Sequence, residues 1–138
     1  MTIVDWQREF LWVRKNFFPR WKGAGWRIAN EGDWEALIWP RYWKDQFCGF
    51  CSETETRIFI NPKSFPPGDR DRLRATILHE INHVFVAGHG TRFQLRLIRA
   101  IRKAERIVGC GRLVSILQQD LQTAKNIALE KKELGMVG

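Results

Sequence analysis

The chain contains few cysteines, few histidines and a single tyrosine, and it has no long apolar run. Three cysteines in 138 residues are a small and odd number, which argues against a disulfide framework and predicts a reducing compartment. No apolar run approaches the roughly 20 residues that a membrane span needs. The N-terminal segment also lacks the basic and apolar regions of a secretory signal. We therefore expect an intracellular, cytoplasmic protein that does not act in a membrane.

The remaining composition is that of an ordinary globular protein. Hydrophobic residues make up 44% of the chain and charged residues 28%, which are the proportions of a folded domain with a polar surface. A length of 138 residues corresponds to one domain. Residues 1–138 are therefore predicted to form a single domain, whose oligomeric state the sequence does not indicate.

The scarcity of histidine makes its placement informative, because all three histidines fall within eleven residues. His79 and His83 belong to the run His-Glu-Ile-Asn-His, and residues four apart on a helix lie on one face. Both imidazoles can then bind one tetrahedral zinc ion. His89 supplies a third ligand, because the glycines on either side of it permit a sharp turn. We predict one Zn²⁺ per chain with an open fourth position, as catalysis requires.

Glu80 is the predicted catalytic residue of this site. It follows the first histidine directly, so it is not a ligand on that face but can accept a proton from water at the metal. The oxyanion formed during peptide hydrolysis needs a further donor, and Tyr42, the only tyrosine, is the candidate. Core histidines satisfied by hydrogen bonds are the alternative interpretation of the same residues.

Apolar periodicity and turn residues predict an α+β protein. Asp69 is a predicted N-cap for the helix that carries the metal motif, and Thr91 with Gln94 has the pattern of a capping box. Trp6 and Phe10 are predicted to be core residues of the first helix. The predicted order is a helix at about 3–17, strands at about 26–30 and 34–39, a hairpin at about 46–52 and 56–61, and helices at about 69–87, 91–108 and 113–133.

Cys48 and Cys51 form a C-x-x-C pair, which has two interpretations. The pair could be half of a metal or redox site, but only one further cysteine, Cys110, exists to complete it. The flanking residues have the pattern of a strand, so the other interpretation is that both are small strand residues.

A basic stripe accompanies the net charge of +8 and the sequence pI near 9.9. Such a stripe attracts a phosphate backbone, but many solvated helix faces look the same. Non-specific DNA or RNA binding and a solvated face both stay open. The stripe consists of Arg92, Arg96, Arg99, Lys103 and Arg106, and the apolar face of the same helix is predicted to contain Phe93, Leu97, Ala100, Ala104 and Val108.

Four runs together resemble the SprT-like zinc metalloproteases: 49–52, 57–61, 77–83 and 89–93. They contain a strand hairpin, the Leu-His-Glu-x-x-His helix and a later His-Gly-x-x-Phe. The resemblance implies a zincin-like, minigluzincin-type fold with a small antiparallel or mixed sheet, an active-site helix and C-terminal helices. It also implies a peptidase acting on a protein substrate.

The family includes Spartan, which acts on proteins crosslinked to DNA. The short spacing from His83 to His89 is similar to the compact bacterial and phage members, so a phage protein acting in the host cytoplasm fits too.

Other zinc proteins share this histidine spacing. Metzincins place a glycine where this chain has Val86, and they need a methionine turn, for which only Met1 and Met136 exist. YbeY-type endoribonucleases have a glycine where Glu80 stands, yet a nuclease is the alternative enzyme because of the basic charge. A nucleic-acid-binding module with a structural zinc is the third hypothesis, and it needs a fourth ligand to close the site.

Overall fold

The computed structural model describes residues 3–29, 49–52, 56–60 and 68–135, with the backbone alone for 3–5 and 49–52. The predicted α+β class is confirmed. Within the described residues, no helix combines the length and the apolar character that a bilayer crossing requires. The elements are α1 (Ile3–Phe17), β1 (Arg27–Ile28), β2 (Gly49–Ser52), β3 (Arg57–Ile60), α2 (Arg70–Phe85), α3 (Thr91–Glu105) and α4 (Gly111–Glu133).

The chain divides into two compact units, Met1–Ile81 and Asn82–Gly138, and the boundary falls inside the continuous helix α2. In the first unit, α1 is amphipathic as predicted. Trp6, Phe10, Val13 and Phe17 recur at steps of three and four, and all four are buried. The prediction that the first helix contributes Trp6 and Phe10 to the core is therefore confirmed.

The sheet of the first unit has the strand order β1-β3-β2. The predicted hairpin is present, because β2 pairs antiparallel with β3. The sheet is not purely antiparallel, since β1 runs parallel to β3 in the register Arg27 to Arg57 and Ile28 to Ile58. The central strand is buried from Ile58 to Ile60. The predicted strand at 34–39 and the hairpin turn at 53–55 lie outside the described residues.

Helix α2 begins as predicted. The Asp69 carboxylate accepts a hydrogen bond from the Arg72 backbone N–H at 3.2 Å, which is the role of an N-cap. Leu73, Ile77 and Ile81 recur at steps of four and are at most 1% exposed, so this apolar stripe faces a core. Because this side of α2 is buried, the polar residues of the helix lie on its other side.

In the second unit, α3 and α4 pack on each other through buried apolar faces. The α3 face differs from the prediction at its end, because the helix stops at Glu105 and Val108 is 99% exposed. Arg106 is the C-cap of the helix, and Gly109 adopts a φ of +84° in the turn that follows. The buried residues are Phe93, Leu97, Ala100, Ile101 and Ala104 on α3, and Leu113, Ile116, Leu117 and Ala124 on α4.

The predicted capping box at the start of α3 is wrong. Gly90 is the N-cap and supplies no side-chain hydrogen bond, so Thr91 is already a helical residue. The Gln94 side chain donates instead to the His89 backbone carbonyl at 2.9 Å. The Gln94 side chain therefore stabilises the loop before α3 and does not cap the N-terminus of the helix.

Candidate metal centre

Two of the three histidines are one turn apart on α2. His79 and His83 are both half-buried, on a helix whose opposite side packs into the core. The helix ends at Phe85, and the chain turns at Gly88, which has a φ of +74°. A side chain would be strained at that angle, so the predicted dependence of the turn on glycine is confirmed at Gly88. The turn is followed at once by His89. Gly90, on the other side of His89, has a φ of −75°, so the turn does not require glycine there.

The three imidazoles converge. One ring nitrogen from each of His79, His83 and His89 lies within 4.8 Å of the others. The rings of His83 and His89 are nearly perpendicular, at 86°, with their centres 4.9 Å apart. Two imidazoles bound at about 2 Å to one tetrahedral ion have ring centres about 5 Å apart. The three side chains therefore fit a shared metal ion.

The orientation of His83 is set by a backbone group. Its Nδ1 lies 3.1 Å from the Val86 carbonyl oxygen. A carbonyl only accepts hydrogen bonds, so Nδ1 carries the proton and donates it, and Nε2 keeps the lone pair that a metal needs. Metal-binding histidines commonly donate their second ring nitrogen in this way.

Burial keeps the histidines ready for a metal. Desolvation lowers the pKa of His83, partly opposed by the hydrogen bond to the Val86 carbonyl. Desolvation also lowers the pKa of His89, with further lowering by the charges of His83 and Lys131. Metals bind the neutral imidazole, so a lowered pKa reduces the competition from protons near neutral pH.

Glu80 is the buried acid of the site. Its side chain is on α2 next to His79, and the residue is 6% exposed. Burial raises the pKa of the Glu80 carboxyl to about 8, because the charged form loses its hydration. A cation bound nearby would favour the carboxylate and bring the pKa down. A group poised in this range is suited to exchange protons near neutral pH.

The free energy of unfolding of the metal-free protein should depend on pH because of the buried Glu80 carboxyl. Glu80 has a pKa near 4.5 when unfolded and about 8 when folded, so its contribution is fully present below about pH 4.5 and is lost as the pH rises through 8. Urea denaturation with a chelator should give a free energy of unfolding that falls over this window, on the order of a few kcal/mol more than in Glu80→Gln. Identical pH profiles for the two proteins would contradict the burial of an ionisable group here.

One residue of the predicted basic stripe has a different environment. Arg96 donates from Nε to the Asn82 side-chain oxygen at 3.1 Å, and its guanidinium lies 4.3 Å from the centre of the Phe85 ring. Asn82 is only 1% exposed. Desolvation lowers the pKa of Arg96, as do the charges of Arg99 and Arg92. Arg96 thus joins α3 to α2, while it stays close enough to Arg92 and Arg99 for their charges to act on it.

The other residues of the stripe are on the surface. Arg102, which is not part of the predicted stripe, is exposed beside them, and Arg106 lies just past the end of α3 as its C-cap. We call this set the basic face of α3. Its members are Arg92, Arg99, Arg102, Lys103 and Arg106, all exposed.

The structure does not test two predicted features, the oxyanion donor and the C-x-x-C pair. Tyr42 and Cys48 lie outside the described residues, and only the backbone of Cys51 is described, in β2. The oxyanion donor and the C-x-x-C pair therefore remain predictions. The remaining cysteine, Cys110, is buried with a free thiol.

No protein-family model, no curated protein and no solved structure matches this chain. The function of the chain is therefore inferred from the geometry of the metal site. Two of its contacts were not predicted from the sequence. The Val86 carbonyl holds His83, and the Phe93 ring lies against both His83 and His89. The first has no sequence signal because it is a backbone group. The second is not a helical i, i+4 pair, because His89 precedes the N-cap of α3, so it has no direct signal in the sequence either.

Proposed function

We propose that this protein is a zinc-dependent metallopeptidase that hydrolyses peptide bonds. The convergence of three imidazoles, with a buried glutamate directly after the first of them, carries this proposal. Imidazole nitrogens suit zinc, and three protein ligands with an open position are the set that catalytic zinc sites use. Among the described residues, the cluster holds no fourth histidine, cysteine or carboxylate, which supports a catalytic role over a purely structural one.

The proposal extends to the fold family. A mixed sheet, a helix with the His-Glu-x-x-His motif and two following helices are the parts that a zincin-like domain of the SprT-like family would contain. The His-Gly-x-x-Phe run also places its histidine beside the motif pair. These features support membership of the SprT-like zinc metalloproteases as the most economical account of the site.

The residues of the site have different roles in the proposed reaction. His79, His83 and His89 would hold the ion, and the Val86 carbonyl keeps the Nε2 lone pair of His83 available. A bound zinc ion would lower the pKa of a water molecule and polarise the carbonyl of the scissile amide. Glu80, as the carboxylate, would accept one proton from the attacking water on its carboxylate oxygen. It then delivers that proton to the nitrogen of the departing amine as the C–N bond breaks, so no proton is gained or lost over the cycle.

A reconstitution experiment tests the proposal. The purified chain, stripped with a chelator, is given one equivalent of zinc and incubated with an unstructured protein such as casein, and new amino termini are counted. We expect cleavage by the zinc-loaded protein alone. Parallel incubation with RNA tests the YbeY-type alternative. A zinc-loaded protein that cuts RNA and leaves casein intact would replace the peptidase with a nuclease.

We further propose that the substrate is held near nucleic acid, through weak and non-specific binding at the basic face of α3. The helix has no acidic residue in its first turn, and its exposed cations lie along one side. Several phosphates could be neutralised at once by such a face. Proteins associated with DNA are accordingly the first substrates to examine.

Charge reversal on the basic face should weaken nucleic-acid binding. For Arg99→Glu with Arg102→Glu, affinity for a short DNA oligonucleotide should fall at least about tenfold, and the slope of log affinity against log salt should drop by about 2. Fluorescence anisotropy at several salt concentrations measures both. The matched control is Lys15→Glu with Arg20→Glu, which makes the same change in net charge at two exposed residues of the first unit.

Zinc content should be the same in all three proteins. Arg96 is left unchanged because a substitution there would also remove its contacts with Asn82 and Phe85. The loss of charge could then not be separated from the loss of these contacts. Equal binding by both double variants would leave the basic face as an ordinary solvated surface.

A further inference from the structure

One aromatic ring contacts two of the three candidate ligands. The Phe93 ring is stacked on the imidazole of His83, with centres 4.6 Å apart and planes 17° apart. It meets the imidazole of His89 edge-on, at 5.1 Å and 70°. Phe93 itself is fully buried. The two imidazoles also contact each other, so the three rings form one cluster.

The start of α3 brings this ring into place. Phe93 lies in the first turn of the helix, four residues after His89 and on the face that packs inward. The next residue, Gln94, holds the His89 backbone carbonyl with its side-chain amide at 2.9 Å. The same helical turn therefore fixes both the backbone and the ring of His89.

The restraint bears on metal binding. An imidazole binds only when its nitrogen points at the ion, and a ring that rotates freely loses that freedom on binding. A ring held beforehand loses less, which is the advantage of preorganisation. His83 is restrained at Nδ1 by the Val86 carbonyl and across its face by Phe93. The His83 and His89 ring centres, 4.9 Å apart, already have about the separation that two ligands of one tetrahedral ion need.

We propose that Phe93 is a positioning residue of the metal centre, whose ring holds the His83 and His89 imidazoles at the separation at which both can bind one ion. This inference rests on the proposed metal site. It assigns Phe93 a role beyond filling the core, which acts through the two imidazoles that its ring contacts.

The test compares two truncations on the same buried face of α3. Phe93→Leu and Leu97→Ala each remove three carbon atoms from a fully buried residue, but only the first removes the ring at His83 and His89. Zinc affinity is measured by competition with a chromophoric chelator, and the free energy of unfolding is measured in the metal-free state. The visible absorption of the cobalt-substituted proteins reports the ligand geometry.

We expect Phe93→Leu to weaken zinc binding about 10- to 100-fold, as loss of a supporting contact around a metal ligand does, and to alter the cobalt spectrum. Leu97→Ala should lower stability while leaving zinc affinity within about threefold of the parent. Phe93→Tyr, which keeps the ring but buries a hydroxyl, should lose stability and retain zinc affinity. If Phe93→Leu does not fold, Phe93→Met takes its place with a similar volume and no ring.

The outcomes separate this inference from the proposed function. A parent protein that binds no zinc overturns the metal site itself. A parent that binds zinc, with Phe93→Leu and Leu97→Ala weakened equally or neither weakened, overturns the role of Phe93 and leaves the metal site standing.

Discussion

Replacing Glu80 with glutamine is expected to abolish peptide hydrolysis while leaving the metal in place. Glutamine has nearly the same shape, so the buried position on α2 stays filled. It cannot accept a proton from water, and loss of general acid–base catalysis costs about 10²- to 10⁴-fold in rate. Because Glu80 is not one of the converging ligands, zinc content and the free energy of unfolding of the loaded protein should change little.

The measurement is the initial rate of casein cleavage at saturating zinc, together with the metal content of the same samples. Glu105→Gln is the matched control, since it makes the same substitution at an exposed residue of α3 and should cleave at the parental rate. If Glu80→Gln lost its metal as readily as the histidine variants, Glu80 would be a ligand and the assigned role would be wrong.

Removing the third ligand should have the largest effect on metal binding. With His89→Ala, two imidazoles remain of the three that converge, and zinc affinity should fall by orders of magnitude because a tetrahedral site with two protein ligands is weakly held. Competition with a chelator of known affinity gives the change. Activity at low zinc should disappear in parallel.

Gln119→Ala serves as the control for His89→Ala, because it truncates an exposed side chain on α4 in the same unit. Its zinc affinity should equal that of the parent. Unchanged zinc content in His89→Ala would remove this histidine from the site. The loop around Gly88 would then need another explanation for its fixed position.

Much of the helical structure could be predicted because its determinants are local. Leu73, Ile77 and Ile81 define one side of α2, and the Asp69 carboxylate marks its start. The observed bounds, Arg70–Phe85, fall within two residues of those predicted. Apolar periodicity and a capping side chain each act over a few residues, so no knowledge of the tertiary structure was needed.

The end and the start of α3 show where local patterns fail. Val108 continues the apolar period of α3 in the sequence, but the helix ends at Glu105 and Val108 is exposed in the turn that follows. Thr91 and Gln94 had the spacing of a capping box, yet the Gln94 amide binds the His89 carbonyl. In both places a competing local conformation or a contact from the preceding loop prevailed over the pattern.

The metal ligands of the candidate site could be predicted from the sequence, but the contacts that hold them in place could not. The spacing of His79 and His83 on one helix, with a glycine turn before His89, is sufficient to bring the three rings together. The Val86 carbonyl has no side-chain signature, and the bond from Arg96 to Asn82 depends on how α3 lies against the end of α2. Such contacts arise from the angle between two elements, which one sequence does not specify.

The most direct test of the central claim is a crystal structure of the zinc-loaded protein with anomalous data collected on both sides of the zinc absorption edge. We predict one anomalous peak per chain, about 2.0–2.1 Å from a ring nitrogen of each of His79, His83 and His89, with no fourth protein ligand. The absence of a peak between the three histidines would contradict the account, as would a peak closed by a fourth side chain.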